Sequence, residues 1–262
     1  MTDEEYRQHP AISRSELWRL RDSPEKFRYM KENPQPTTDA LLFGQVFHKY
    51  VVEPDTFNDE FIFEPECDRR TSEGKAIYKD FLSQVGNKKI VPRDMMKQAA
   101  EMGEAINNNK LAAKLIKGEH EKPFFWTDKE TGIECKCRTD VLYKGKKNLV
   151  IVDLKTTTDA STESFMKEAV KYGYHFQDAM YSTGVAENLG TVPQFVFIAI
   201  EKKPPYAINI LQADKTFFDV GKTIFRELLD KYNDCKQTDK WYGYNGTENK
   251  INTLTLPAWA LD

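Results

Sequence analysis

The sequence predicts a mixed α/β domain: a central β-sheet flanked by helices, with a helical layer ahead of it in the chain. Three observations predict this. Residues 12–117 carry mostly helical spacing of apolar positions; residues 121–155 hold three β-like runs parted by turn sequences; residues 165–233 alternate long helical patterns with short apolar strands.

Ile12 to Met30 has the spacing of a helix, with Ser13 or Ser15 as its cap and Leu17, Trp18, Leu20 and Phe27 as its apolar stripe; Asn33-Pro-Gln-Pro-Thr ends it. A second helix runs from Thr38 through Val52, with Leu41, Leu42, Val46 and Phe47 inward and Glu53-Pro54 closing it. Residues 53–73 predict a short strand inside a loop, and Lys75–Phe81 and Arg93–Lys117 are helical in pattern. The sheet begins with runs at 121–126, 133–143 and 148–155, joined by Lys129-Glu-Thr-Gly132 and Lys144-Gly-Lys-Lys147 as hairpin connections. Phe165–Asn188 predicts a helix, Gln194–Glu201 a buried strand, Ala207–Leu211 another strand, and Lys215–Asn233 a long amphipathic helix. With neither an internal repeat nor a flexible linker, residues 1–262 are expected to form a single domain, mainly helical over 1–118 and built on the sheet over 119–262.

Composition narrows the class. At 40% hydrophobic and 30% charged residues, without low-complexity tracts, the 262-residue chain has the balance of a globular protein rather than a disordered or fibrous one. The longest apolar run, Phe195–Ile200, is too short to cross a bilayer, and the opening MTDEEYRQHP has no basic n-region or apolar h-region. A cytoplasmic location without membrane attachment is expected. Cys67, Cys135, Cys137 and Cys235 are then expected as free thiols, because their spacing matches neither a zinc nor an iron–sulfur cluster. The net charge of −3 does not exclude a nucleic-acid partner, since binding depends on local potential, and basic residues gather at Arg14–Lys31, at Lys144–Lys147 and at Lys202–Lys203.

The chemistry concentrates in Glu134-Cys-Lys-Cys-Arg-Thr-Asp140 and, thirteen residues later, Asp153-Leu-Lys155. Strand alternation puts Lys136, Arg138 and Asp140 on one face and Cys135, Cys137 and Val141 on the other; Asp153 and Lys155 share a face on the next strand. A hairpin lays the two charged faces side by side. Two close carboxylates repel unless a cation or a proton intervenes, and oxygen ligands favour a hard ion such as Mg²⁺ or Mn²⁺. Adding a lysine supplies what phosphodiester hydrolysis requires, although the same spacing also suits an ordinary charge ladder on an exposed sheet face.

Asp140, a gap, then Asp153-x-Lys155 resembles the Asp…(Asp/Glu)-x-Lys motif of the PD-(D/E)xK nuclease superfamily; Arg138-Thr-Asp140 ahead of Ile151-Val-Asp-Leu-Lys-Thr-Thr157 is similar to its RecE-type branch, the exodeoxyribonuclease VIII-like exonucleases of phages and prophages. Ser13-x-Ser15-x-Leu17 with Ser23-Pro24-x-x-Phe27 is similar to the opening helix of RecB- and RecE-type nucleases. Gly44-x-x-x-His48 resembles their histidine motif, the small residue leaving room one turn before the imidazole, and Gln177-x-x-x-Tyr181 their Gln-x-x-x-Tyr motif. The closing Leu254-x-Leu-Pro-Ala-Trp259 also looks RecE-like, whereas Thr139 stands where the superfamily name has proline.

The resemblance implies a restriction-endonuclease-like core and a metal-dependent DNA exonuclease, acting 5′→3′ on duplex ends to leave 3′ single strands for strand annealing. It implies one or two Mg²⁺ (or Mn²⁺) ions per subunit, held by Asp140, Asp153, His48, Glu121 and the Leu154 carbonyl, with Glu119 the alternative to Glu121. It further implies that Lys155 positions the attacking water and that Gln177 and Tyr181 orient lysine and phosphate, so that Asp140, Asp153, Lys155, Gln177 and Tyr181 form the catalytic set; Arg138, Lys136, Ser13, Ser15 and Arg14 face DNA. Expected partners are double-stranded DNA ends, a RecT-type annealing protein and further copies of the chain in a ring, a tetramer by resemblance. The alternatives are a RecB-like or CRISPR-adaptation-type nuclease of other polarity, or a non-catalytic DNA-binding module on the same fold.

Overall fold

The structure, a computed structural model, describes residues 1, 3–33, 36–146, 148–248 and 250–256. Pro34, Gln35, Lys147 and the Pro257–Trp259 end of the closing motif lie outside the described residues. In chain order the first helix is α1 (Asp3–Gln8), followed by a two-residue strand β1 (Ile12–Ser13) and helices α2 (Arg14–Leu20), α3 (Pro24–Glu32) and α4 (Asp39–Val52). A 3-10 turn leads to α5 (Phe57–Glu60), β2 (Phe61–Phe63), α6 (Ser72–Val85), β3 (Lys89–Val91), α7 (Arg93–Asn108) and α8 (Lys110–Leu115). Then come β4 (Glu119–Thr127), β5 (Glu134–Lys144), β6 (Leu149–Thr157), α9 (Thr162–Tyr172), α10 (Tyr174–Leu189), β7 (Gln194–Glu201), β8 (Ile208–Gln212) and α11 (Lys215–Thr238).

The central mixed sheet flanked by helices is present, and the expected strands fall within a few residues of those found. Two expected helices are each divided, for local reasons. Ile12–Met30 gives up its first residues to β1, which pairs in parallel with Cys135 and Lys136, and breaks again where Ser23 caps α3 through Lys26 N with Pro24 at its first position. Phe165–Asn188 breaks at Gly173, whose φ of +69° is left-handed and whose absent side chain leaves room for Trp18, 2.5 Å from where a Cβ would sit. On α4 the buried face is Phe43, Val46 and Phe47; Leu41, expected inward, is 58% exposed because it lies in the first turn, ahead of the packed stretch. Helix α1 and strand β3 were not anticipated.

Strand β5 organises the sheet. Along one edge it pairs antiparallel with β4; along the other it meets β1 at Cys135–Lys136 and β6 at Val141–Lys144. Beyond β6, the strands β7 (parallel) and β8 (antiparallel) complete the order β1-β5-β6-β7-β8. Between its two partners on that edge, residues 137–140 of β5 face a fork. One core, holding Ile12, Leu17, Cys135, Cys137, Ile151, Phe176 and Phe197, fills the side covered by α2, α10 and α11; the other, holding Val46, Phe47, Met102, Val141, Val152 and Ile198, fills the side covered by α4 and α7. Val141 was expected beside the two cysteines. It packs in the opposite core, while Leu142 joins theirs, so the strand's alternation breaks just after Asp140. Opposite that break, Glu121 takes a φ of +45°, unusual for a residue with a side chain. None of the helices among the described residues is long and apolar enough to cross a membrane.

Candidate active site

Where β5 and β6 part, the polar groups of β6 lose their ladder partners and side chains replace them. The amide of Leu154 donates to Asp140 Oδ2 at 2.9 Å, which fixes that carboxylate in the plane of the sheet. A strand residue's N–H and C=O point to the same edge, so the Leu154 carbonyl also faces the fork. Asp153, 1% exposed, ion-pairs with the Lys155 ammonium and accepts a hydrogen bond from the Gln177 side-chain amide. Gln177 reaches it from α10, so its partner is the carboxylate and not the lysine.

Helix α4 presents His48 to the other side of the fork. Its Nε2 is 3.1 Å from Asp140 Oδ2 and its Nδ1 3.5 Å from Glu121 Oε1. The turned backbone of Glu121 aims that carboxylate inward, where Arg138 pairs with it. Glu119, the alternative acid, is 44% exposed and bound to Lys122 and Lys144 on the outer surface. Glycine 44 has nothing within 4 Å of a would-be Cβ, so room for the imidazole is not what calls for glycine there. Tyr181 is partly buried, its hydroxyl pushed well up by burial and by the neighbouring Tyr6, Cys137, Asp140 and Asp153.

The residues expected to face DNA separate into distinct environments. Lys136 is 4% exposed, and its ammonium donates to the carbonyls of Tyr6 and His9, both at 2.7 Å, closing the C-terminal end of α1. That burial removes it from any DNA-facing surface in this conformation. Arg14 donates to the carbonyls of Tyr172 and Gly173, and Ser13 binds Glu16 through both its amide and its hydroxyl, with Ser15 3.3 Å away. Ser13, which caps α2, and Arg14 and Ser15, its first residues, are thus engaged within the protein. Farther along the same basic cluster, Arg28 pairs with Glu32 and Asp239, and Lys31 with Glu16. Tyr6 escaped the sequence reading; its ring underlies both Lys136 and Arg138, at 4.9 and 4.8 Å, and only the fold brings α1 there.

The electrostatics of the cluster are those of converging acids. Burial pushes Glu121 up to about 7, with Asp140 adding to it against His48 and Arg138. Burial opposes the charged form of His48, yet Asp140, Glu121 and Asp153 outweigh it and raise the imidazole to about 9. Burial likewise raises Asp153, with Asp140 reinforcing and Lys155 opposing; for Asp140 burial is overcome by His48, Lys155 and the Leu154 amide, which hold it low. One imidazole nitrogen and two carboxylate oxygens, from His48, Glu121 and Asp140, lie within 4.8 Å of one another. That donor set fits a hard divalent cation, and the protons held on His48 and Glu121 mark where its charge is wanted. Asp153 is not in this trio, being engaged by Lys155 and Gln177.

A family described as a PDDEXK-like domain of unknown function (DUF3799) matches residues 13–253. The chain belongs to that family. Its match covers every residue of the fork except the contributions of α1. No curated protein matches the sequence. Among solved structures, a protein from Eubacterium rectale provisionally described as an exonuclease is similar over 100% of this chain and 97% of its own, at 17% identity and a TM-score of 0.68. That likeness shows the fold. The structure of SSO0001 overlaps 78% of this chain and 88% of its own at 15% identity, and its TM-score of 0.33 supports no argument. Asp140 lies on β5, and Asp153 and Lys155 on its antiparallel neighbour β6.

Proposed function

We propose that this protein is a divalent-metal-dependent DNA nuclease, and that it acts as an exonuclease of the RecE type, 5′→3′ on duplex ends. The observation that carries the reading is the fork, which gathers Asp140, Asp153 and Lys155 with His48 and Glu121 in a family of PDDEXK-like domains. His48, Glu121 and Asp140 would hold the cation, with Asp153 and the Leu154 carbonyl at the same fork. Bound there, Mg²⁺ or Mn²⁺ supplies Lewis-acid polarisation of the phosphate and of water. Asp153 fixes the Lys155 ammonium, and Gln177 in turn fixes Asp153, so the lysine is oriented before substrate arrives. An ammonium so held orients the attacking water and offsets charge developing on the phosphate.

The finer reading includes loading at free ends, 3′ single strands handed to an annealing protein of the RecT type, and a ring of subunits; it is supported by the motif resemblance. Strand-specific end labels test it. Expected are Mg²⁺-dependent degradation of linear duplex from its 5′ ends and survival of closed circles. With Lys155→Ala or Asp153→Ala, cleavage should fall by at least about 100-fold while the protein stays folded. Unchanged cleavage by either folded variant refutes the site; early release of a 3′ label, or linearisation of circles, refutes the RecE-type polarity alone.

A further inference from the structure

Lys155 is held by more than Asp153. Its ammonium lies 5.0 Å from the centre of the Tyr174 ring, the first residue of α10. That distance is within the range in which a ring face attracts a cation. The tyrosine is itself fixed. Its hydroxyl donates to Glu168 Oε1 at 3.3 Å, and Glu168 Oε2 accepts from the Thr157 hydroxyl at 2.7 Å. Thr157 follows Lys155 by two residues on β6 and therefore shares its face. The four side chains close a loop across three elements: lysine and threonine from β6, glutamate from α9, tyrosine from α10. Phe165 and Phe197, with ring centres 5.7 and 5.6 Å from that of Tyr174, stop the ring from turning away.

We infer that Tyr174, anchored by Glu168 and Thr157, is a positioning residue that sets the Lys155 ammonium through its ring face. The chemistry explains why a ring serves here. A lysine ammonium has three donors; a second carboxylate would take one, whereas an aromatic face attracts the charge and takes none. With Asp153 accepting from one side, the remaining donors stay free for water and a phosphate oxygen. Tyr174 is the first residue of α10, directly after the left-handed Gly173 that ends α9.

This inference rests on the nuclease reading for its consequence, but its geometry can be tested apart from activity. The first measurement is the ¹H–¹³C spectrum of the Lys155 ε-methylene in the full chain. Expected is an upfield ring-current shift that weakens alike in Tyr174→Phe and Glu168→Ala, each of which cuts the hydroxyl's bond to Glu168, and disappears in Tyr174→Leu. No upfield shift in the wild-type protein overturns the inference whatever the activity. The second replaces Tyr174 by phenylalanine and then by its mono-, di- and trifluoro analogues, which keep the shape while draining the ring face of negative potential. Expected is a steady fall in kcat, about two- to fivefold from phenylalanine to the trifluoro analogue, with KM for duplex DNA unchanged. A flat series, or a change confined to KM, overturns it. Absence of metal-dependent cleavage in the wild-type protein would instead refute the nuclease reading, leaving the ring-current result to decide the Lys155–Tyr174 contact.

Discussion

Loading a divalent cation onto His48, Glu121 and Asp140 must displace protons that the metal-free cluster holds. The imidazole, raised to about 9, is protonated at neutral pH, and a metal ligand must be neutral. Glu121, pushed up to about 7, carries a proton below that value. The logarithm of the metal affinity should thus rise with pH at a slope of about two below pH 7, about one between pH 7 and 9, and zero above. At pH 7 the imidazole is neutral in about one molecule in a hundred and Glu121 is ionised in about half, so the affinity there lies about 200-fold below its plateau, or about 3 kcal/mol. Stability of the metal-free protein follows with its own sign. The histidine's folded value lies above its ordinary 6.5, so its contribution is fully present below pH 6.5 and is lost as pH rises through 9. Manganese titration by calorimetry at pH 8, in two buffers of different ionisation enthalpy, counts the protons: close to one for the wild-type protein and fewer for His48→Asn, where what remains comes from Glu121, raised once the neighbouring imidazolium is gone. Release of no proton by the wild type, or of one by both proteins, refutes the assignment of His48.

Two further outcomes follow from packing. A Cβ at Gly221 of α11 would lie 1.9 Å from the His175 carbonyl oxygen, so Gly221→Ala must part α10 from α11 and should cost about 2–4 kcal/mol in chemical denaturation; a loss below about 0.5 kcal/mol would mean that the helices do not approach this closely. Cys135 and Cys137 are buried thiols pushed up by that burial and facing the core away from His48, so Cys135→Ser with Cys137→Ser should destabilise the fold by about 1–3 kcal/mol per buried hydroxyl yet leave manganese stoichiometry unchanged, and loss of bound metal from the folded double variant would refute the carboxylate–imidazole set.

What could be read from the sequence was what periodicity controls. Gln194–Glu201 is a strand over those same residues because a continuous apolar run between two turns has one good use, and the helix expected from Thr38 through Val52 is α4, Asp39–Val52. Asp140, Asp153, Lys155, His48 and Gln177 come together at the fork as their spacing and motif order had marked them, and Glu121 joins them, where resemblance alone had preferred it to Glu119. Their individual partners were not legible. Lys136 was expected at the DNA by resemblance, with strand alternation placing it beside Arg138 and Asp140, but neither says what covers a face, and α1 covers this one. Tyr6 and Tyr174 were missed for a related reason: each acts on a residue far away in the chain, and a lone tyrosine carries no signal of what lies beneath its ring.

The fork itself explains why acids expensive to bury are tolerated here. In a fully zipped hairpin the Leu154 amide would bond to β5, and Asp140 would have no backbone donor to hold it low. Opening the ladder after Val141 exchanges that bond for one to a carboxylate, which is stronger because its acceptor is charged. The same opening lets α4 deliver His48 from one side of the sheet and α10 deliver Gln177 from the other, so that groups on opposite faces meet in one cleft. Strain at Glu121 and the broken alternation after Asp140 are local costs of that geometry, and they fall where the charged groups converge rather than elsewhere in the sheet. Ile151 packs in one core and Val152 in the other, so the paired end of the hairpin is anchored on both faces of the sheet.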